Sequence, residues 1–339
     1  MNFKNKTLFL GDNLEIMRGI NSSSIDLIYF DPPFGLKSSI TRSMNLDTGF
    51  EILWSSSSTS SDISASDNGE LADRAPGLYD VLRLSKQTHS KELYDYLVFL
   101  SIRLLETYRI LKKKGSIYVH CDSLSSHYLK LAMDNIYDSR NYQSEIVWSH
   151  KSTGLSLLHW SKNHDLLLHY SKSDNFTHHV LMNPDTGSPI RDIWEDVSTH
   201  PKDRINTPGK RPLELLDRIM RASSNESDIF LDPFCGYGTG LIVADNLGRH
   251  WAGIDINPKS LDSLNLELSD QLFNPLTIKE DAPIRTDMGS TLAPRTKKHE
   301  LYGFQQGTCI HCNLYFQFTD MYISITNPEQ LLCIHCYRK

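Results

Sequence analysis

No apolar run in this 339-residue chain approaches the roughly 20 residues that a bilayer-spanning helix needs. The first residues, Met1-Asn2-Phe3-Lys4-Asn5-Lys6, lack the long apolar core of a secretory signal. A membrane protein is not expected, and the reading is a cytoplasmic one. Basic residues are outnumbered, 35 Lys and Arg against 41 Asp and Glu, for a formal charge of −6. That balance argues against a protein that coats nucleic acid, because phosphate contacts need Lys and Arg. It leaves room for a locally basic cleft. Lys112-Lys113-Lys114, Lys202 to Arg211 and Arg295-Thr296-Lys297-Lys298 are the candidate patches, and each also reads as an ordinary solvated face. Cysteine is scarce as well: there are six, Cys121 and Cys235 alone and four in two CxxC pairs near the C-terminus. In a cytoplasmic chain such pairs read as metal ligands before disulfides.

What is present suits a globular α/β protein. A hydrophobic content of 39% and a charged content of 22% are ordinary for a soluble domain. The length allows one large domain and a small appendage. Thr7 to Leu10 reads as a strand ending at Gly11-Asp12, and Asn13 can cap a helix holding Leu14, Ile16 and Met17. Ile25 to Phe30 is an apolar run of the buried parallel-strand type. Residues 36–90, rich in Ser and Asp, read as a long mobile loop with order returning near Leu78.

Leu93, Leu97, Leu100, Leu104 and Leu105 have helical spacing, Gly115 closes that helix region, and Ser116 to His120 is a strand. Leu129, Met133 and Ile136 mark another helix. Glu145 to Trp148 and Asp165 to Tyr170 read as two strands, plausible as an antiparallel pair. After a turn-rich stretch at 171–207, Leu213, Leu216, Ile219 and Met220 form an amphipathic helix. Asp228 to Leu231 is a strand, 241–248 a helix and Trp251 to Asp255 a strand. The alternation predicts a doubly wound, mostly parallel sheet over residues 1–268, a linker at 269–300 and a C-terminal unit at 301–339.

Two stretches carry chemistry. Asp232-Pro233-Phe234-Cys235-Gly236-Tyr237-Gly238-Thr239-Gly240 follows a strand and opens a helix. Its glycines let backbone turn tightly and approach a ligand. The loop is not GxGxxG, and the chain has no GxxxxGK[ST], which excludes a P-loop. Asp255 ends the next strand, where an acid commonly accepts hydrogen bonds from ribose hydroxyls. A nucleoside without a pyrophosphate fits this pattern, and S-adenosylmethionine is such a molecule. The bland reading is a tight turn and a surface acid.

The second stretch is the tip of the Ile25–Phe30 strand, Asp31-Pro32-Pro33-Phe34. Asp31 can accept a hydrogen bond from an exocyclic NH₂ and the Pro32 carbonyl can accept the other. Pro33 stiffens the turn and donates no competing N–H. Phe34 offers a face on which a base can stack, worth roughly 1–3 kcal/mol in comparable contacts. Such a tip suits methylation of an amino group, with acceleration coming from position and electrostatics. A base in a duplex reaches it only by flipping out. Alone, an Asp-Pro pair often just ends a strand.

Together these residues resemble the DNA amino-methyltransferases over roughly residues 7–265. The order, DPPF at 31–34 before FxGxG at 234–238, is similar to the β group of adenine-N6 and cytosine-N4 enzymes. The resemblance implies that Asp12 contacts the cofactor, with Asp232, Phe234, Gly236, Gly238, Thr239 and Asp255. Gly115 to Asp122 (GSIYVHCD) resembles the family's GSIYLHCD strand. Thr207-Pro208-Gly209-Lys210-Arg211-Pro212 stands where the family has a PTQKP-type segment. By analogy Lys210 lies near the methionine moiety, although Gly209 departs from the pattern.

An Asp-first tetrapeptide is typical of the adenine enzymes, so N6-adenine is favoured and cytosine-N4 is the alternative. Double-stranded DNA is the implied partner. The resemblance also admits a cognate restriction endonuclease and a homodimer. Residues 36–90 and 171–206 are the two candidates for reading the DNA sequence.

Cys309, Cys312, Cys333 and Cys336 are spaced to hold one structural Zn²⁺. The tail resembles the end of an HNH-type nuclease motif. Asp320 to Thr326, between the cysteine pairs, contains no histidine. A zinc-bound remnant without nuclease activity, assisting DNA binding, is expected. The competing classes are a zinc-dependent nuclease and a silent DNA-binding module.

Overall fold

The computed structural model describes residues 1–33, 65–150, 160–197, 210–258, 260, 264, 276–287 and four short strands between 306 and 333. Nine strands form one sheet in the order β6-β4-β5-β3-β2-β7-β8-β1-β9. They are β1 (Thr7–Leu10), β2 (Ile25–Phe30), β3 (Leu111–Cys121), β4 (Tyr142–Ser149), β5 (His164–Ser171), β6 (Ile193–Trp194), β7 (Ile229–Asp232), β8 (His250–Asp255) and β9 (Thr277–Lys279). The run from β3 to β9 is parallel throughout, and β5 is antiparallel to both its neighbours. The expected mostly parallel α/β sheet is therefore present, with the antiparallel pairing of β4 and β5 also as read.

Helices cover both faces. On one side lie α1 (Asn13–Gly19), α2 (Ala65–Arg74), α3 (Pro76–Thr88), α4 (Lys91–Ile110) and α5 (Ser126–Met133), packed on Phe9, Ile28, Phe30, Ile117 and Val119. On the other, α6 (Leu213–Ser223) and α7 (Thr239–Asn246) pack on Leu8, Leu27, Tyr29 and Trp251. Alternate residues of a strand face opposite sides, so Ile28 and Phe30 serve one core while Leu27 and Tyr29 serve the other. The leucines of α4 are buried at helical spacing, and Ser90 caps the helix by accepting from the Leu93 N–H at 3.2 Å. α6 buries Leu215, Leu216, Ile219 and Met220 along one stripe.

Several expectations are corrected. The 36–90 stretch, read as a mobile loop, holds two helices, α2 and α3, in its second half. Leu71, Leu78 and Leu82 anchor them in the core, Pro76 starts α3 at its first turn, and Arg74 reaches Glu106 of α4 at 2.7 Å. The polar composition hid three well-spaced leucines; residues 36–64 lie outside the described residues. The cap of α1 is Asp12 rather than Asn13, its carboxylate accepting from the Leu14 N–H at 2.8 Å.

The 269–300 stretch, read as a linker, contributes β9 to the sheet edge beside β1. The helix expected to close at Gly115 ends at Ile110, and Gly115 lies inside β3 at a register shift opposite Asp26. A Cβ at Gly115 would stand 2.7 Å from the Asp26 carbonyl oxygen. Gly115→Ala is thus expected to lower stability by about 1–3 kcal/mol through strain at the β2–β3 join. Urea denaturation checks it, and an unchanged midpoint would refute the close approach.

Candidate active site

The parallel strands bring four acids to one edge. Asp31 follows β2, Asp232 ends β7, Asp255 ends β8, and Asp12 follows β1 through Gly11. Pairing of Leu27 with Phe230 and of Ile28 with Leu231 sets Asp31 and the two prolines after it beside the glycine loop. Ligands of open α/β sheets bind outside these carboxyl ends.

On the loop side, Gly236 and Gly238 take positive φ of 48° and 76°. Side chains rarely adopt that conformation, so glycine is required there. Asp255 is bound by its own turn: its carboxylate accepts from the Gly236 N–H and from the Asn257 N–H, each at 2.8 Å. Burial still pushes its carboxyl above the usual range. Thr239 is buried at the start of α7. Phe234 packs edge-on against Phe30, with ring centroids 5.0 Å apart.

Asn13 holds the loop from below, donating to the Pro233 carbonyl at 2.7 Å. Arg103 of α4 donates to the Asn13 side-chain oxygen at 2.6 Å and to Asp12 at 2.8 Å, lying over the Phe99 ring. Asp12 therefore engages both carboxylate oxygens within the protein, although its side chain stays 46% exposed and accessible to a ligand.

On the tip side, Asp31 is clamped by Arg211. The guanidinium donates from Nε to Oδ2 at 2.6 Å and from Nη2 to Oδ1 at 2.9 Å. Burial alone would raise the Asp31 carboxyl, but the Arg211 guanidinium outweighs it and holds it below the usual range. Arg211 directly precedes Pro212, the N-cap of α6. Pro32 is buried, and the Pro33 carbonyl accepts from the Tyr96 hydroxyl at 3.1 Å. Phe34 lies outside the described residues. Lys210, half-buried, is the chain neighbour of Arg211.

A second carboxylate, Asp165 at the start of β5, stands behind this pair. Lys162 Nζ lies 2.7 Å from it, His120 Nε2 3.3 Å, His150 Nε2 3.4 Å and Arg211 Nη1 3.7 Å. Burial works to raise its carboxyl, and the histidines and Lys162 drive it far below the usual range. Burial and Arg211 lower His120, which is therefore neutral. Facing an acceptor-only carboxylate, its Nε2 carries the proton. Its Nδ1 then accepts from the Tyr29 hydroxyl at 2.7 Å, in preference to the 3.3 Å contact of that hydroxyl with Asp31.

The sequence reading missed Arg211, Asp165, His120, Tyr29, Asn13 and Arg103 as site residues. His120 and Arg211 stood within the two quoted family segments. Arg211 rather than Lys210 is the basic residue before the proline, and it is the one on Asp31. Asp165 and Arg103 carried no local signal. Of the four cysteines read as zinc ligands, Cys309, Cys312 and Cys336 lie outside the described residues. Cys333 falls in a strand (Leu331–Cys333) that pairs antiparallel with Met321–Ile323. Gln306–Thr308 and Tyr315–Gln317 form a second hairpin. Among the described residues no group of His, Cys, Asp and Glu is arranged to hold a metal. None of their helices is long and apolar enough to cross a membrane.

A family model described as DNA methylase (N6_N4_Mtase) matches residues 25–266, and the chain belongs to that family of DNA methyltransferases. Its relatives include the DNA adenine methyltransferase YhdJ of Escherichia coli K12, 27% identical over 278 residues, 74% of this chain and 79% of that one. The fold is shared with a putative DNA modification methylase of Thermus thermophilus solved with S-adenosyl-L-methionine. That match has a TM-score of 0.51 at 18% identity over 81% of this chain and 99% of that one. The cytosine-N4-specific PvuII DNA methyltransferase matches with a TM-score of 0.53 at 15% identity, over 80% and 89%.

Asp232 offers a test of the loop's electrostatics. Burial pushes its carboxyl well above the usual range, with Asp31 and Asp255 adding to the push against the Phe234 N–H. The folded group titrates above the unfolded one, so its ionisation costs stability as pH rises from about 4. Asp232→Asn keeps the acceptor for the Phe234 N–H and removes the charge. The variant should match the wild type near pH 4 and melt at a progressively higher temperature than it toward pH 8. A constant or reversed difference across that range would contradict the assignment.

Proposed function

We propose that this protein transfers a methyl group from S-adenosylmethionine to the exocyclic N6 of adenine in double-stranded DNA, after flipping the base out of the duplex. The observation that carries the reading is the β2–β7 pairing, which sets the ionised Asp31 beside the glycine loop. The loop suits this cofactor. Residues 232–240 include no Lys or Arg for a pyrophosphate. Among the described residues, a Cβ added at Gly236 would meet only the Phe234 carbonyl oxygen, at 3.9 Å. Asp255 would hold the ribose, Asp12 the adenine end and Lys210 the methionine end, with Phe234, Gly236, Gly238 and Thr239 shaping the cradle. The bound cofactor supplies an electrophilic methyl on sulfur.

Asp31 and the Pro32 carbonyl accept the two amino hydrogens and fix the nitrogen, and Phe34 stacks on the base. The cofactor, once bound, would supply the methyl to that nitrogen and keep the electron pair of its methyl–sulfur bond. The amino proton leaves through Asp31. An Asp-first tetrapeptide supports adenine. The fold shared with a cytosine-N4 enzyme keeps cytosine as the second reading. Within this reading the protein works in the cytoplasm, residues 171–206 or 36–90 read the DNA sequence, and a cognate restriction endonuclease and a second copy of the chain are the remaining partners. The tail would hold structural zinc through Cys309, Cys312, Cys333 and Cys336 and assist DNA binding without nuclease activity.

The test is to incubate the protein with labelled S-adenosylmethionine and unmethylated bacterial genomic DNA and identify the labelled nucleoside. N6-methyladenine is expected, and N4-methylcytosine would move the reading to the alternative. Asp31→Ala should reduce methylation by about 10²-fold or more, as loss of a positioned electrostatic group does. Calorimetry should show its cofactor binding largely intact, and wild-type methylation by this variant would sink the assignment.

A further inference from the structure

We propose that Arg211 gates Asp31: its guanidinium holds the carboxylate in the free enzyme and passes to Asp165 when an amino group of the substrate base takes its place. The proposal rests on the reading of Asp31 as the group that meets the base. It begins from a conflict. Asp31 must accept from an incoming amino group, yet both its oxygens already receive hydrogen bonds from one guanidinium, at 2.6 and 2.9 Å. A bidentate pair is among the stronger side-chain contacts. It takes the positions that best oppose a fork, and its positive charge weakens the carboxylate as an acceptor and as a base.

The neighbourhood supplies the way out. The third guanidinium nitrogen, Nη1, lies 3.7 Å from Asp165 Oδ2. Arg211 therefore stands between two carboxylates, close enough that a change of side-chain torsion moves it from one to the other. Its backbone has little freedom to move, because Pro212 follows and caps α6. The Trp148 ring, 6.0 Å from the guanidinium, lines the route on the β4 side. Asp165 is prepared to receive the charge. Lys162, His150 and His120 surround it and keep it ionised, so Arg211 joins an existing cluster without needing to create a charge.

Leaving a buried carboxylate unpaired is costly, so Arg211 should depart only as the base's amino group arrives. Departure also changes Asp31 itself. Its remaining neighbours are Tyr29, Tyr96, His120, Asp165 and Asp232, of which His120 is neutral and Asp165 and Asp232 are acids. Without the guanidinium, burial lifts the carboxyl and makes it a better proton acceptor at the moment one is needed. Arg211 and Asp165 are thus positioning residues that act through Asp31.

A fixed supporting role for Arg211 predicts different kinetics, and single-turnover methylation of the same genomic DNA separates the two. Asp165→Asn removes the receiving charge and should slow methylation about ten-fold, while Arg211→Gln/Asp165→Asn should recover most of that loss, a coupling a double-mutant cycle reads directly. Arg211→Gln alone should lose more rate than the wild type between pH 8.5 and pH 6, because burial raises the unclamped Asp31 carboxyl, and should be about three-fold faster at pH 8.5, where the competitor is gone. If Asp165→Asn fails a melting check, the Arg211→Gln pH pair decides. Arg211→Gln at or below the wild-type rate at both pH values, or a double variant no faster than Asp165→Asn, overturns the gate. Asp31→Ala, run alongside, tests the underlying reading separately: if it methylates like the wild type, that reading fails whatever Arg211 does.

Discussion

The parallel pairing of β2 with β7 is the constraint on which the site depends. Leu27 beside Phe230 and Ile28 beside Leu231 bring together two stretches that stand far apart in the chain. Both strands are buried on both faces, so the register is held by two cores at once. A slip by one residue would exchange Ile28 and Phe30 with Leu27 and Tyr29 between those cores. It would also move Asp31 away from Asp232 and the glycine loop. The chemistry of the edge is thus secured by packing well below it.

Above that frame the edge is an arrangement of acids treated in two ways. Asp31 and Asp165 share cations, Arg211 above all, and stay ionised despite burial. Asp232 and Asp255 have backbone N–H groups for partners, and burial raises both carboxyls. The division follows the partners of the two halves of the edge: a guanidinium offsets the cost of burying a charge, whereas the backbone N–H groups here do not. Arg103 and Asn13 tie the halves to the first helix face: Asn13 supports the Pro233 carbonyl and Arg103 supports Asn13 and Asp12.

Much of the fold was legible in the chain because its strands are apolar runs and its helices carry leucines at helical spacing. β2, β7 and β8 were read nearly to their ends. Failures occurred where composition and packing disagreed. α2 and α3 sit in a stretch whose Ser and Asp content suggested a loop, and three buried leucines outweigh it. β9 sits in a presumed linker because the edge of β1 offers unpaired backbone groups to any passing extended segment. Gly115 looked like a helix terminator, whereas it is the residue small enough to pass the Asp26 carbonyl.

By itself the sequence determined the local pieces of this protein. The acid at the strand tip, the glycines that permit positive φ and the acid ending β8 are properties of short stretches, so they are visible without a fold. Tertiary structure alone decided which side chains share the space between them. Arg211 lies on Asp31, Asp165 waits behind it, and His120 joins Tyr29 to Asp165, across three separate strands and the start of a helix. Charge coupling falls with distance through a low-dielectric interior and takes no account of separation along the chain. Partners of a buried carboxylate are therefore set by strand order and register, and only the folded sheet specifies those.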